Sequence, residues 1–137
     1  MKIMLDANVL ISAILFPNSI IGCTVEHIKK FHTIVLCQYI LDEIEFGFKN
    51  KKKLTDKLQN VTDYISLLPF ELYRLDALDF QKYPYIRDKK DLPILANAIE
   101  SGVDILITGD ADFDSVEIDK PRIMKPRQFQ DEFMKEK

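Results

Sequence analysis

Residues 91–113 read DLPILANAIESGVDILITGDADF, and the parsing of this stretch decides the fold. Its first half has the grammar of a helix. Asp91 stands where an N-cap belongs, Pro93 lies in the first turn, where a missing N–H is tolerated, and Gly102 falls just past the end. Its second half, Asp104–Thr108, is a short branched apolar run without polar alternation, the pattern of a strand buried on both faces. A helix that leads straight into such a strand is half of a repeating α/β unit.

The rest of the chain continues the alternation. KIML (2–5) predicts a short buried strand, and NVLISAIL (8–15) a helix closed by Pro17. SIIGCTVEHIKK (19–30) predicts a helix capped by Ser19 and ending in lysines, and TIVLC (33–37) a second buried strand. QYILDEIEFGFKN (38–50) and KKLTDKLQNVTDYISLL (52–68) predict two further helices, the second ended by Pro69. FELYRL (70–75) predicts a third strand, and residues 122–137 a last short strand followed by a helix beginning near Pro126. Strands alternating with helices imply an α/β fold with a parallel sheet covered on both faces. With 137 residues, and with no repeat or Pro/Gly/Ser linker, the chain is expected to be a single domain over 1–137.

Composition narrows the function. A net charge of −3 excludes a uniformly basic nucleic-acid binder, though not a local basic patch. Cys23 and Cys37 lack the spacing of paired metal ligands and are expected to be reduced core thiols of a cytoplasmic protein. Asp6 and Asn8 interrupt the apolar start, no cleavage site follows it, and no segment approaches membrane-spanning length.

The acids carry the chemical signal. In an open parallel sheet, ligands collect beyond the carboxyl ends of the strands. Asp6 follows KIML directly and Asp110 comes three residues after DILI, so both are expected at that edge. A lone aspartate after a strand is usually a turn or cap residue; two of them at the ends of two buried strands point to a site. Glu43 joins them by helix geometry. Its neighbours three and four residues away are Tyr39, Ile40, Phe46 and Gly47, with no charge among them, whereas Glu45 can pair with Lys49 and Asp42 faces Gln38. Glu43 therefore leans towards the protein body. Asp91 sits at a helix N-terminus, which favours its ionised form and allows capping and a site role together. Asp88 reads as a solvated loop charge.

Other acid-rich motifs fail in turn. Asp110, Asp112 and Asp114 match the first half of a calcium-binding loop, but Ser115 stands where its glycine belongs and Pro121 where its closing glutamate belongs. An aspartyl nucleophile with a second acid two residues on is excluded by Asn8, and the scattered glycines form no phosphate loop. What remains is an oxygen-only cluster, which selects Mg2+ or Mn2+ over zinc. Two such ions about 4 Å apart are a known clamp for in-line attack of water on a phosphodiester, with no nucleophilic side chain required.

Three segments, MLDANVLISAIL, YILDEI and RDKKDLPILANAIESGVDILITGDADF, together resemble the PIN-domain nucleases, most closely the small bacterial PIN proteins that act as toxins of toxin–antitoxin pairs (VapC-like). The resemblance runs nearly end to end. It implies a three-layer α/β/α sandwich around a mainly parallel sheet. It implies that Asp6, Glu43, Asp91 and Asp110 are catalytic metal-binding acids, with Asp112 a more variable further ligand. It implies that Asn8 and Thr108 support them by hydrogen bonding, while Asp114 has no firm counterpart. It further implies hydrolysis of single-stranded RNA with one or two Mg2+ or Mn2+ ions, a homodimer and a cognate antitoxin.

Lys51, Lys52 and Lys53 in KNKKK form the densest basic run, read either as a solvated junction between helices or as a contact to the RNA backbone. Tyr83 and Tyr85 could stack on unpaired bases or simply pack. Two functions stay open at this point. One is an active metal-dependent ribonuclease; the other is a PIN module that binds RNA or a protein partner with little or no turnover.

Overall fold

A computed structural model describes residues 1–50, 55–75 and 77–135. The expected elements form with shifted ends. Strand β1 (Lys2–Leu5) is followed by helices α1 (Ala7–Leu15) and α2 (Ile20–Phe31), then by β2 (Thr33–Cys37) and α3 (Gln38–Asn50). Next come α4 (Leu58–Leu67), β3 (Phe70–Tyr73), α5 (Leu92–Glu100), β4 (Ile105–Ile107), β5 (Arg122–Met124) and α6 (Pro126–Phe129). A 3-10 turn at Thr55–Lys57 precedes α4, and a π-type turn at Gln130–Met134 prolongs α6. Of the segment read as one long helix over 52–68, Leu58–Leu67 is regular α-helix, Thr55–Lys57 is the 3-10 turn, and 52–54 lie outside the described residues.

All strand pairs are parallel, in the order β3-β2-β1-β4-β5. Successive side chains of a strand point to opposite faces. Every residue of Ile3–Leu5, Ile34–Cys37 and Ile105–Ile107 is nevertheless buried, so both faces of the central sheet are covered. This is the three-layer arrangement implied by the sequence. The chain leaves β1 towards β2 and β3, then returns across the sheet to place β4 on the other side of β1. The order reverses between β1 and β4, the switch point beyond whose strand carboxyl ends open α/β sheets collect their ligands.

Local sequence explains the joints. The Ser19 hydroxyl caps α2 by accepting from Gly22 N–H at 3.1 Å. At Gly22 a Cβ would lie 2.3 Å from the Pro17 carbonyl oxygen, so only glycine lets α2 start tightly against the preceding turn. Gly102, at φ 70°, supplies the left-handed residue that stops α5 and turns the chain into β4. Of the two cysteines, Cys37 is buried as expected, but Cys23 is exposed. It falls on the outer face of α2, whose buried stripe is Gly22, Thr24, Val25 and Ile28. No single described helix is long and apolar enough to cross a membrane.

Candidate functional site

The acids from β1 and β4 meet at the switch point. Asp6 extends the pairing one residue past β1, its N–H donating to Ile107 O at 3.0 Å. It is also the N-cap of α1, with Ala7 N–H donating to its Oδ1 at 2.7 Å. The Thr108 hydroxyl donates to Asp6 Oδ2 at 2.7 Å and accepts from Asp110 N–H at 3.1 Å. One buried hydroxyl thus ties the side chain of one acid to the backbone of another. Asp6 is 3% exposed. Burial raises its pKa, the Thr108 and Ala7 bonds oppose that rise, and the Asp110 charge adds to it.

Glu43, from α3, is half-buried and approaches from the next strand over. Burial raises its pKa, the Asp6 charge raises it further, and a hydrogen bond from Tyr39 opposes both. The expectation for its helix neighbours holds: Lys49 pairs with Glu45 at 3.2 Å, and Gln38 donates to Asp42 at 2.9 Å. Tyr39 itself was not singled out in the sequence. Its hydroxyl lies 3.0 Å from the Lys90 carbonyl oxygen and beside Glu43, and can donate its one proton to either. It therefore bridges the helix carrying Glu43 and the turn carrying Asp91.

Asp91 differs from its expected capping role. It occupies the position before α5, yet its carboxylate makes no cap bond. A 3-10 turn at Lys89–Asp91 precedes the helix, and Asp88 caps that turn by accepting from Lys90 N–H at 3.0 Å. The Asp91 carboxylate is left turned to the cluster. Its Oδ2 is buried with no donor among the described residues. Burial, a hydrogen bond with the Asp110 carboxyl and the Asp110 charge, followed by the charges of Asp6 and Asp88, push its pKa up to about 7. The carboxylates around Asp91, Asp110 first among them, therefore disfavour its ionised form.

Asp88, read from the sequence as a solvated loop charge, belongs to this group. One oxygen each from Asp88, Asp91 and Asp112 lie within 4.8 Å of one another, and no other trio of described acids, histidines or cysteines does so. The sequence signal was the pair of acids flanking KK in DKKD: one tight turn brings both to the same side. Asp110 accepts from Asp112 N–H at 2.9 Å, capping the 3-10 turn Ala111–Ser115. The Asp112 carboxylate is held by the Arg87 guanidinium.

Other expected residues fall outside the cluster or on its rim. Asn8 is exposed and makes no side-chain hydrogen bond to another described residue, so support of Asp6 falls to Thr108. Asn8 does line a hollow with Glu43, Tyr39 and the exposed ring of Phe46. Asp114 is exposed, 3.6 Å from Lys125. Tyr83 packs against the core and donates to Glu100 at 3.2 Å, which favours packing, while Tyr85 is 75% exposed. Lys51, Lys52 and Lys53 lie outside the described residues.

The donor set suits a hard divalent cation. It offers carboxylate oxygens without nitrogen or sulfur, one buried oxygen lacks a donor among the described residues, and the pKa values of Asp6, Glu43 and Asp91 are all raised. A positive ion among them would relieve all of these at once.

The class is therefore an all-parallel α/β domain that gathers acids from β1, α3, the α5 entry and the β4 exit at its switch point. A scan against protein-family models matches the PIN domain over residues 2–112, and the chain belongs to the PIN-domain family. Two solved structures share its fold. One is VapBC2 from Rickettsia felis bound to a DNA fragment from their promoter, with 23% identity, 91% of this chain and 98% of that chain covered, and a TM-score of 0.69. The other is DNA-bound VapBC from Salmonella typhimurium, with 20% identity, 92% and 98% covered, and a TM-score of 0.66. A search of curated protein sequences gave no match.

Proposed function

We propose that the chain is a divalent-metal-dependent endoribonuclease that hydrolyses phosphodiester bonds of single-stranded RNA. The observation that carries this reading is the gathering of Asp6, Glu43, Asp91 and Asp110 at the sheet switch point, with the Asp91 Oδ2 buried and without a donor among the described residues. Asp6, Glu43, Asp91 and Asp110, with Asp112, would hold Mg2+ or Mn2+, as one ion or two; among the described residues the oxygens already within 4.8 Å of one another are those of Asp88, Asp91 and Asp112. Such an ion, when bound, supplies a Lewis acid that makes water a better nucleophile and offsets the charge of the phosphate.

The protein's own contribution is placement. Thr108 fixes the orientation of Asp6 and the backbone of Asp110 together. Tyr39 sets Glu43 against the turn that presents Asp91. Such pre-set acids need little rearrangement when an ion and a substrate arrive. Arg87, now paired with Asp112, is a cation poised at the rim to meet a phosphate.

The similarity to the VapBC structures supports a toxin held in check by an antitoxin; a cytoplasmic location and a homodimeric assembly belong to the same proposal. The test of the core reading is incubation of the protein with mixed single-stranded RNA and Mn2+, beside Asp6→Asn and Asp110→Asn. Cleavage by the parent and its loss in both variants is the expected outcome. Cleavage that survives in both variants would remove the acids from the mechanism. Binding without cleavage by the parent would turn the reading to a PIN module that holds RNA.

A further inference from the structure

A single strand of RNA needs cations along its path as well as acids at the point of cutting, because its backbone carries one charge per nucleotide. The exit of β5 offers such a path. Lys125 and Arg127, on either side of Pro126, border a largely apolar hollow of about 430 Å3 floored by Ile20 and Ile21 and reaching Gly109, the residue next to Asp110. Lys125 and Arg127 also line a neighbouring hollow of about 680 Å3 with Arg122, Gln128 and Asp114. They form the wall between the two hollows, and one end of that wall adjoins the acid site.

The charges along this wall are largely available. No described carboxylate lies within ion-pair distance of Arg127. Lys125 has one loose partner, Asp114, at 3.6 Å, with both side chains about half exposed, a pair that water and salt screen strongly. Arg122 is different: its guanidinium is clamped on Glu132 by two bonds of 2.7 and 2.8 Å, so it closes the far end of the groove as a neutral pair. The exposed Lys89 and Lys90 lie on the turn between Asp88 and Asp91, and Arg87 just before it is paired with Asp112. Exposed positive charge thus stands near the acids both at the β5 exit and on this turn, an arrangement that fits a polyanion passing over them.

We propose that Lys125 and Arg127 are the wall that holds the sugar-phosphate backbone of single-stranded RNA as it enters the acid site, an assignment that rests on the nuclease reading and states where its substrate lies. It places the main backbone contact at the start of α6, beyond the matched residues 2–112, and not at Lys51–Lys53.

The test uses the full chain and a fluorescein-labelled single-stranded RNA, with Ca2+ present so that binding is read by anisotropy across a range of salt. The variants are Lys125→Ala/Arg127→Ala, a control Lys29→Ala/Lys30→Ala at the far end of α2, and Lys51→Ala/Lys52→Ala/Lys53→Ala. The Lys125/Arg127 variant should bind about tenfold more weakly near physiological salt. Its log–log salt slope should fall by about 1.4, roughly 0.7 for each lost phosphate contact. The Lys29/Lys30 control should match the parent, and an unchanged melting temperature in all variants shows that the fold is intact. Parent-like affinity and slope in the Lys125/Arg127 variant would overturn the assignment, as would a loss confined to the Lys51–Lys53 variant or a parent that binds no single-stranded RNA. A parent that binds through this wall but cuts nothing with Mn2+ would refute the nuclease reading alone.

Discussion

Replacing Asp91 by asparagine keeps the shape of the side chain and removes its charge, so in metal-free protein it should stabilise the fold at alkaline pH. The folded pKa of Asp91 is pushed up to about 7 from an ordinary 3.8. Folding therefore takes up a proton across that window, and stability falls as pH rises through it. At about 1.36 kcal/mol per pH unit, the full difference would be about 4 kcal/mol above pH 7. The carboxylate is only partly buried, and solvent screening brings the expected gain of Asp91→Asn down to about 1–2 kcal/mol at pH 8. For a domain of this size that is a rise of roughly 3–10 °C in melting temperature. The assay is thermal unfolding of parent and variant in chelator from pH 4 to 8, repeated with excess Mg2+ or Mn2+. The difference should be small near pH 4 and grow towards pH 8. With the ion present the order should reverse, because the parent gains binding energy that the variant has lost. A gain of the same size at both ends of the pH range would refute the reasoning, as would a variant less stable than the parent at pH 8 in chelator.

The other predictions concern the supports of the site. Thr108→Val removes the donor to Asp6 Oδ2 at nearly constant volume. The Asp6 pKa should rise further, the acid limb of the activity profile should move to higher pH, and ion affinity at pH 7 should drop several-fold in calorimetry. Tyr39→Phe frees Glu43 from the Lys90 turn; turnover should fall while the melting temperature moves by no more than about 1 kcal/mol in stability terms. Gly22→Ala should destabilise the protein by about 2 kcal/mol in denaturant unfolding despite the better helix propensity of alanine, because the new Cβ meets the Pro17 carbonyl at 2.3 Å.

The sequence by itself determined most of the architecture, because local rules act over a few residues. Continuous apolar runs marked Lys2–Leu5, Thr33–Cys37 and Ile105–Ile107 as strands, and Ser19, Pro93 and Gly102 marked helix ends. Helix spacing was enough to pair Glu45 with Lys49 and to leave Glu43 without a charged neighbour on its own helix. The tertiary structure decided what depends on distant segments meeting. The Thr108 bond to Asp6 spans 102 residues, and the Tyr39 contact to Lys90 spans 51. The cap bond expected of Asp91 passed to Asp88, which also joined the cluster, because a 3-10 turn, not an α-helical one, opens α5. The cap bond went to the first acid, and the second was freed for the cluster. Propensity does not separate those two turns, whose energies differ little. The packing of α5 against α3 and the core chooses between them, and with that choice it sets which carboxylate turns to the cluster.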